Sequence, residues 1–429
     1  MTLWRQVKVE MRGTRISPGH PVLWPPWIAT LRAPAVCGKQ FGADFGIMNH
    51  NRSADGLRGI AALNVVVSHF FCAFAPGLLH NFYPELFREN SSPEVWQRIL
   101  QWPVFSVFYN GLFAVFVFFV LSGYVLALPY FQNQPEKISR RFWARYLRLN
   151  IPVAAVVLLS WLLFVLHGYY NVPAAKAANS PWLDSALQAG GANFRAMMDH
   201  AVSGAIIFGR KTFDPPLWTI NLEFIGSMYL LAYFAVKPRG REALPLLLVC
   251  LLLLTCYPDA SIFFITLFCG SYLGCLPARG KYRALSFALG IYLGGYQYDN
   301  ALYDYLPDVL GWGTKSFYNA LGALLLVWPV VNGFGARILQ SRPLQYLGRI
   351  SYSIYLVHFL VLGSVACKLY LTLPQSRSSL ALIFVVYVAA AMVLAHYFEK
   401  IVDRNAIAAS RKFSDFLFRK KPPIVGQPG

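Results

Sequence analysis

The stretch VFSVFYNGLFAVFVFFVLSGYVLAL, residues 104–128, contains no Asp, Glu, Lys or Arg. A helix rises 1.5 Å per residue, so about 20 such residues cross a hydrocarbon core about 30 Å thick. Inside that core every backbone N–H and C=O must find its partner within the protein, which a helix achieves alone. The stretch therefore reads as a transmembrane helix. Outward from it, further apolar blocks fall at 56–74, 149–167, 216–236, 243–256, 260–276, 284–297, 316–331, 350–366 and 380–398. The blocks at 243–256 and 284–297 are short for a span. The sequence predicts an all-α, polytopic membrane helix bundle of about ten transmembrane helices.

Composition agrees. Of 429 residues, 56% are hydrophobic, 16% aromatic and only 13% charged, against about 25% charged in a soluble domain. That leaves too little polar surface for water. The net charge of +19 would suggest nucleic acid in a soluble chain, but here the basic residues sit in alternate short loops between apolar blocks. One set holds Lys137, Arg140, Arg141, Arg145 and Arg148, then Lys237, Arg239 and Arg241, then Arg279, Lys281 and Arg283, then Arg337, Arg342 and Arg349. The opposite loops carry Asp259, Asp299, Asp304 and Asp308 instead. By the positive-inside bias the basic set is cytosolic and both termini lie there too; the partner is a lipid bilayer and not nucleic acid. Residues 1–52 read as a basic cytosolic tail without a secretory h-region, with an Arg-rich transit peptide as the alternative. Residues 53–405 form the transmembrane domain, and 406–429 a basic cytosolic C-terminal tail. The seven cysteines show no C-x-x-C spacing, no metal site and no readable disulfide framework.

Ionisable groups inside apolar blocks are costly and point to function. The first block opens Asp55-Gly56-Leu57-Arg58-Gly59 and carries His69. Arg58 and His69 are three helical turns apart on one face, about 16 Å along the axis, with His69 about 20 Å from the cytosolic end. The block after Pro215-Pro216-Leu217-Trp218-Thr219 carries Glu223, which the same count places at a similar depth. A carboxylate can orient a histidine for general-base work; a structural ion pair between helices fits equally. In the ninth block Ser351, Tyr355 and His358 form a polar stripe at i, i+4, i+7, which serves either a site or interhelical hydrogen bonds. The second block ends at Ser122-Gly123-Tyr124 and leads to the basic loop Ser139–Arg148, where Arg145 and Arg148 face one way. Guanidinium forks suit phosphate oxygens, and lipid headgroups would account for the same charge.

Taken in order, these segments resemble one family. Asp55 to Leu63 with Ser68-His69-Phe70 resembles the opening signature of the acyltransferase-3 family of integral membrane acyltransferases. Phe118 to Tyr124 looks like its F-F-x-L-S-G-Y segment, and Arg145-x-x-Arg148-Leu-Asn-Ile-Pro152 like its R-x-x-R-L-x-x-P motif. Trp218 to Glu223 is similar to its W-[ST]-L-x-x-E pattern, with Ile220 as a departure, and Gly348 to His358 to its G-x-I-S-Y-S-I-Y-L-x-H segment. A terminal W-x-x-E-x-P ending is replaced by His396-Tyr397-Phe398-Glu399-Lys400, without the Pro. The resemblance spans about residues 53–405.

It implies transfer of an acyl group, often acetyl, from acyl-CoA to a hydroxyl of a carbohydrate, lipid or small-molecule acceptor. Acyl-CoA would be a co-substrate, with no permanently bound cofactor. Arg58, Arg141, Arg145 and Arg148 would hold the donor, His69 with Glu223 would be the catalytic pair, and Ser122, Tyr355 and His358 would meet substrate. Direct transfer and a transient acyl-enzyme on His69 or Ser122 both fit. The alternative from a different class is a transporter using the intramembrane His and Glu as a proton or substrate relay.

Overall fold

A computed structural model describes residues 51–87, 93–187, 193–236, 249, 252–277, 280–309 and 313–419. The N-terminal segment up to residue 50 and most of the expected span 243–256 lie outside the described residues, as do Lys237, Arg239, Arg241 and Arg279. The described chain is helical, with no strand among the described residues. Its main helices are α1 (Arg52–Phe74), α2 (Gly111–Phe131), α3 (Pro135–Val165), α4 (Leu217–Val236), α5 (Ser261–Tyr272), α6 (Lys281–Gly294), α7 (Thr314–Val331), α8 (Arg342–Val361), α9 (Arg377–Phe398) and α10 (Arg404–Leu417).

Among the described residues, six helices are long and apolar enough to cross a membrane: α1, α2, α3, α4, the continuous helix Arg342–Thr372 built on α8, and Arg377–Leu417 built on α9 and α10. The remaining expected spans differ for local reasons. The helix Ser261–Cys275 is apolar but short. Lys281 and Arg283 occupy the first turn of the 14-residue α6. Lys315 and Asn319 dilute the start of the 18-residue α7. Cys275 is disulfide-bonded, a pairing that no cysteine spacing flagged.

The basic loop expected before the third span is helical. Pro135 occupies the first turn of α3, where a missing N–H costs nothing, and the helix then runs unbroken for 31 residues. Pro152 does not end it. Nearby, the Tyr352 hydroxyl donates to the Leu149 carbonyl at 3.1 Å, which ties α8 to α3.

Helix starts are pinned to neighbours. Asn51 caps α1 by accepting from the amides of Ser53 (3.1 Å) and Ala54 (3.3 Å). Its Nδ2 donates to the Tyr124 hydroxyl and the Val331 carbonyl, each at 3.1 Å, so one cap ties α1 to α2 and α7. Asn110 caps α2 and reaches the Gly294 carbonyl at 2.7 Å. Protein buries 67% of the most apolar window of both α2 and the Arg342–Thr372 helix, but only 22% of that in Arg377–Leu417. The first two are central, and α9 is at the perimeter with its apolar side open to lipid.

Candidate active site

Helices α1 and α8 run side by side and parallel, and they touch where Gly59 meets Gly348. A Cβ on Gly59 would stand 2.6 Å from the Gly348 amide nitrogen, and one on Gly348 would collide with the Asp55 carbonyl oxygen. Small residues let two backbones approach this closely, the usual device of helix pairs in membranes. Ten residues beyond the contact, each helix carries a histidine. His69 Nδ1 and His358 Nε2 are 2.8 Å apart. The ring planes differ by 19° with centroids 5.0 Å apart. That separation, with so short an N···N contact, puts both nitrogens near the line joining the centroids. The contact is an in-plane hydrogen bond and not a face-to-face stack.

His358 is fully buried, and its other nitrogen, Nδ1, lies 3.0 Å from the Ile354 carbonyl oxygen. His69 is half-buried. Trp182 and Phe359 pack against it at ring-centroid distances of 5.2 and 5.7 Å. The hydrogen bond to His358 uses Nδ1, and His69 Nε2 has no hydrogen-bond partner among the described residues. Trp182, in the short helix Pro181–Ala186, carried no motif and was missed by the sequence reading.

Toward the basic end of the bundle lies a cavity of about 580 Å³ lined by Arg58, Ser122, Arg145, Arg148, Thr219, Glu223 and Tyr355, with Glu399 and Asp403 from the C-terminal helix. The i, i+3 spacing on α3 does bring Arg145 and Arg148 to one wall. Arg145 Nη2 donates to Glu223 Oε1 at 2.7 Å and its Nε to Ser227 Oγ at 2.9 Å. Ser122 Oγ donates to the same Glu223 oxygen at 3.0 Å. Arg148 Nη1 meets Asp403 Oδ1 at 2.5 Å, and the Arg148 Cζ lies 5.2 Å from the centroid of the Tyr352 ring. Arg58 lies 3.7 Å from Asp55. Arg141 donates to the Val125 carbonyl at 2.8 Å and does not line the cavity. Arg140 pairs with Asp415 of α10.

The expected His69–Glu223 pair does not form. Glu223 is held by Arg145 and Ser122, and His69 by His358. The bond between Thr219 Oγ1 and the Tyr355 hydroxyl, 2.5 Å, sets the register of α4 against α8. From it, Glu223 lies one turn toward the basic end and His358 nearly one turn the other way, so the two levels differ by about 10 Å. Counting depth from separate helix ends could not see this offset. The Ser351–Tyr355–His358 stripe is likewise committed: Tyr355 and His358 bond across helices, and Ser351 bonds the Gly348 carbonyl of its own helix. Tyr355 nonetheless lines the cavity, and its ring centroid is 6.0 Å from that of His358. The cavity therefore reaches within one side chain of the histidine pair.

Just ahead of α4, Asp214 is buried with both carboxyl oxygens unpartnered among the described residues. Burial holds its carboxyl well above the ordinary carboxylate range, because charge is penalised away from water.

Residues 51–399 match the family described as an acyltransferase domain, acyltransferase-3. The chain belongs to the acyltransferase-3 family. The O-acetyltransferase PaAT-1 of Phomopsis amygdali is 27% identical over 234 residues, 46% of this chain and 43% of that relative. The chain thus spans less than half the length of the curated relative it matches. No solved structure matches. The acyltransferase-3 match takes in both histidines and the arginine-lined wall but stops at Glu399. Asp403, the partner of Arg148, lies beyond it.

Proposed function

We propose that this acyltransferase-3 protein moves an acyl group, acetyl in the first instance, from acyl-CoA to a hydroxyl of a carbohydrate, lipid or small-molecule acceptor. The observation that carries the reading is one helix, α1, bearing Arg58 in an arginine-lined cavity and His69 with a bare Nε2 further along. Arg58, Arg145 and Arg148 match the charge of the polyanionic donor, whose phosphates would replace Glu223 and Asp403 as guanidinium partners. The pantetheine arm would run through the cavity past Tyr355. His69 Nε2 would take the acceptor hydroxyl proton as that oxygen attacks the thioester carbonyl. The carbon–sulfur bond then breaks, and the proton passes from the imidazolium to the departing thiolate. The net change is ester plus free CoA thiol. The name of the Phomopsis relative favours acetyl as the group, and family membership favours acyl transfer over a transporter relay. We further read ten spans with both termini cytosolic, since four arginines, Arg58, Arg145, Arg148 and Arg349, line the cavity at one end of the bundle and the basic loops alternate along the sequence.

His69→Ala in the full-length protein should lower acyl transfer from acetyl-CoA by about 10²–10⁴-fold, the usual share of a positioned acid–base group. Near-normal transfer by a folded His69→Ala protein would remove His69 as the base.

A further inference from the structure

The two histidines form a directional chain. A carbonyl oxygen only accepts, so the 3.0 Å contact between His358 Nδ1 and the Ile354 oxygen puts a hydrogen on His358 Nδ1. In a neutral imidazole the other nitrogen is then bare. His358 Nε2, 2.8 Å from His69 Nδ1, can therefore only accept. The hydrogen in that bond belongs to His69 Nδ1, and the lone pair of His69 lies on Nε2. From this geometry we infer that His358 is a positioning residue: it fixes His69 as the Nδ1–H tautomer and aims the bare Nε2 at the acceptor hydroxyl.

The inference rests on the reading of His69 as base and assigns His358 a role other than contact with substrate. Without a partner at Nδ1, nothing among the described residues selects one tautomer. Trp182 and Phe359 supply ring faces and edges to His69 but no acceptor in the plane of its Nδ1. The division of labour parallels that of the carboxylate in a serine-hydrolase triad, which holds its imidazole in one tautomer without itself exchanging a proton. A neutral histidine does this without placing a fixed negative charge in the bundle, which would be expensive there. The full burial of His358 keeps water from supplying a competing hydrogen bond to Nδ1.

The experiment uses the full-length protein in detergent micelles, labelled with ¹⁵N-histidine, with His69 resonances assigned by difference from His69→Ala. The expected wild-type spectrum at neutral pH has the His69 proton on Nδ1. In His358→Phe, which keeps a ring but offers no acceptor, that proton should shift to Nε2 in a large fraction of molecules. Turnover should then fall by about 10²-fold, with the acyl-CoA KM unchanged, as expected for a wrong-tautomer base. In His358→Gln the side-chain Oε1 can still accept, and both the Nδ1–H tautomer and most of the turnover should return. A wild-type His69 proton on Nε2 overturns the inference, as does retention of the Nδ1–H form in His358→Phe. Should His358→Phe fail to fold, the wild-type and His358→Gln spectra still decide. The outcomes separate from those for the base itself, because the tautomer is read without turnover. A correct tautomer with an active His69→Ala protein would sink the base reading alone.

Discussion

Glu223 accepts hydrogen bonds from both Arg145 and Ser122, so its charge steadies a guanidinium on the cavity wall. Glu223→Gln keeps an oxygen for Ser122 but turns the Arg145 contact from an ion pair into a hydrogen bond with one charged partner. The lost carboxylate charge is worth about 1 kcal/mol, so the KM for acyl-CoA should fall about fivefold, because the phosphates then displace a weaker partner from Arg145, while kcat stays near wild type. A large fall in kcat at unchanged KM, in steady-state assays on matched folded protein, would return Glu223 to proton transfer. The components of the site were legible in the sequence, because ionisable residues in apolar blocks stand out one at a time. Their pairing was not. Whether an acid meets an imidazole or a guanidinium depends on how two helices slide past each other, and a few residues of slip exchange the partners. Asp403 and Trp182 were invisible for another reason: each acts through a neighbour distant in sequence and carries no pattern of its own.

At the scale of elements, the glycine contact between α1 and α8 does most to position the histidines. Gly348→Ala puts a methyl group against the Asp55 carbonyl oxygen, a backbone atom that can yield only if the helices part. Overpacking of this kind costs about 1–3 kcal/mol. The variant should unfold at a lower temperature than wild type in detergent and should lose acyl transfer, since separation stretches the His69–His358 bond. An unchanged melting temperature would show that the two helices are not clamped there. The sequence located these helices well, because apolar length alone marks them. It misread residues 139–148 as a loop, because charge was taken for a break. A run of arginines without Gly or Pro is compatible with helix, and α3 continues through it.

For the whole molecule, Arg58, Arg145, Arg148 and Arg349 line the cavity at one end of the bundle, and the topology proposal stands on that cluster. Epitope tags at the two termini should both resist protease added outside intact cells and both be cleaved after permeabilisation. External cleavage of either tag would exclude an even number of spans with cytosolic ends. The six long apolar helices of the described chain were each legible as blocks. The shorter segments were harder to count, because a membrane helix shielded by neighbours can be short or tilted at modest cost. Only their surroundings say so.

The parallel pairing of α1 with α8 also fixes a length. Glycine and histidine are the same distance apart on both helices, and the two histidines are 289 residues apart in the chain. One residue inserted between glycine and histidine on either helix would swing that imidazole by about 100° and carry it about 1.5 Å along the axis. The apolar faces would still find lipid or protein, and the chain would still insert, but the rings would no longer meet. A one-residue insertion or deletion in either segment therefore breaks the pair, and the same step in the other helix, most of the chain away, does not restore it, because both rings turn in the same sense and away from each other.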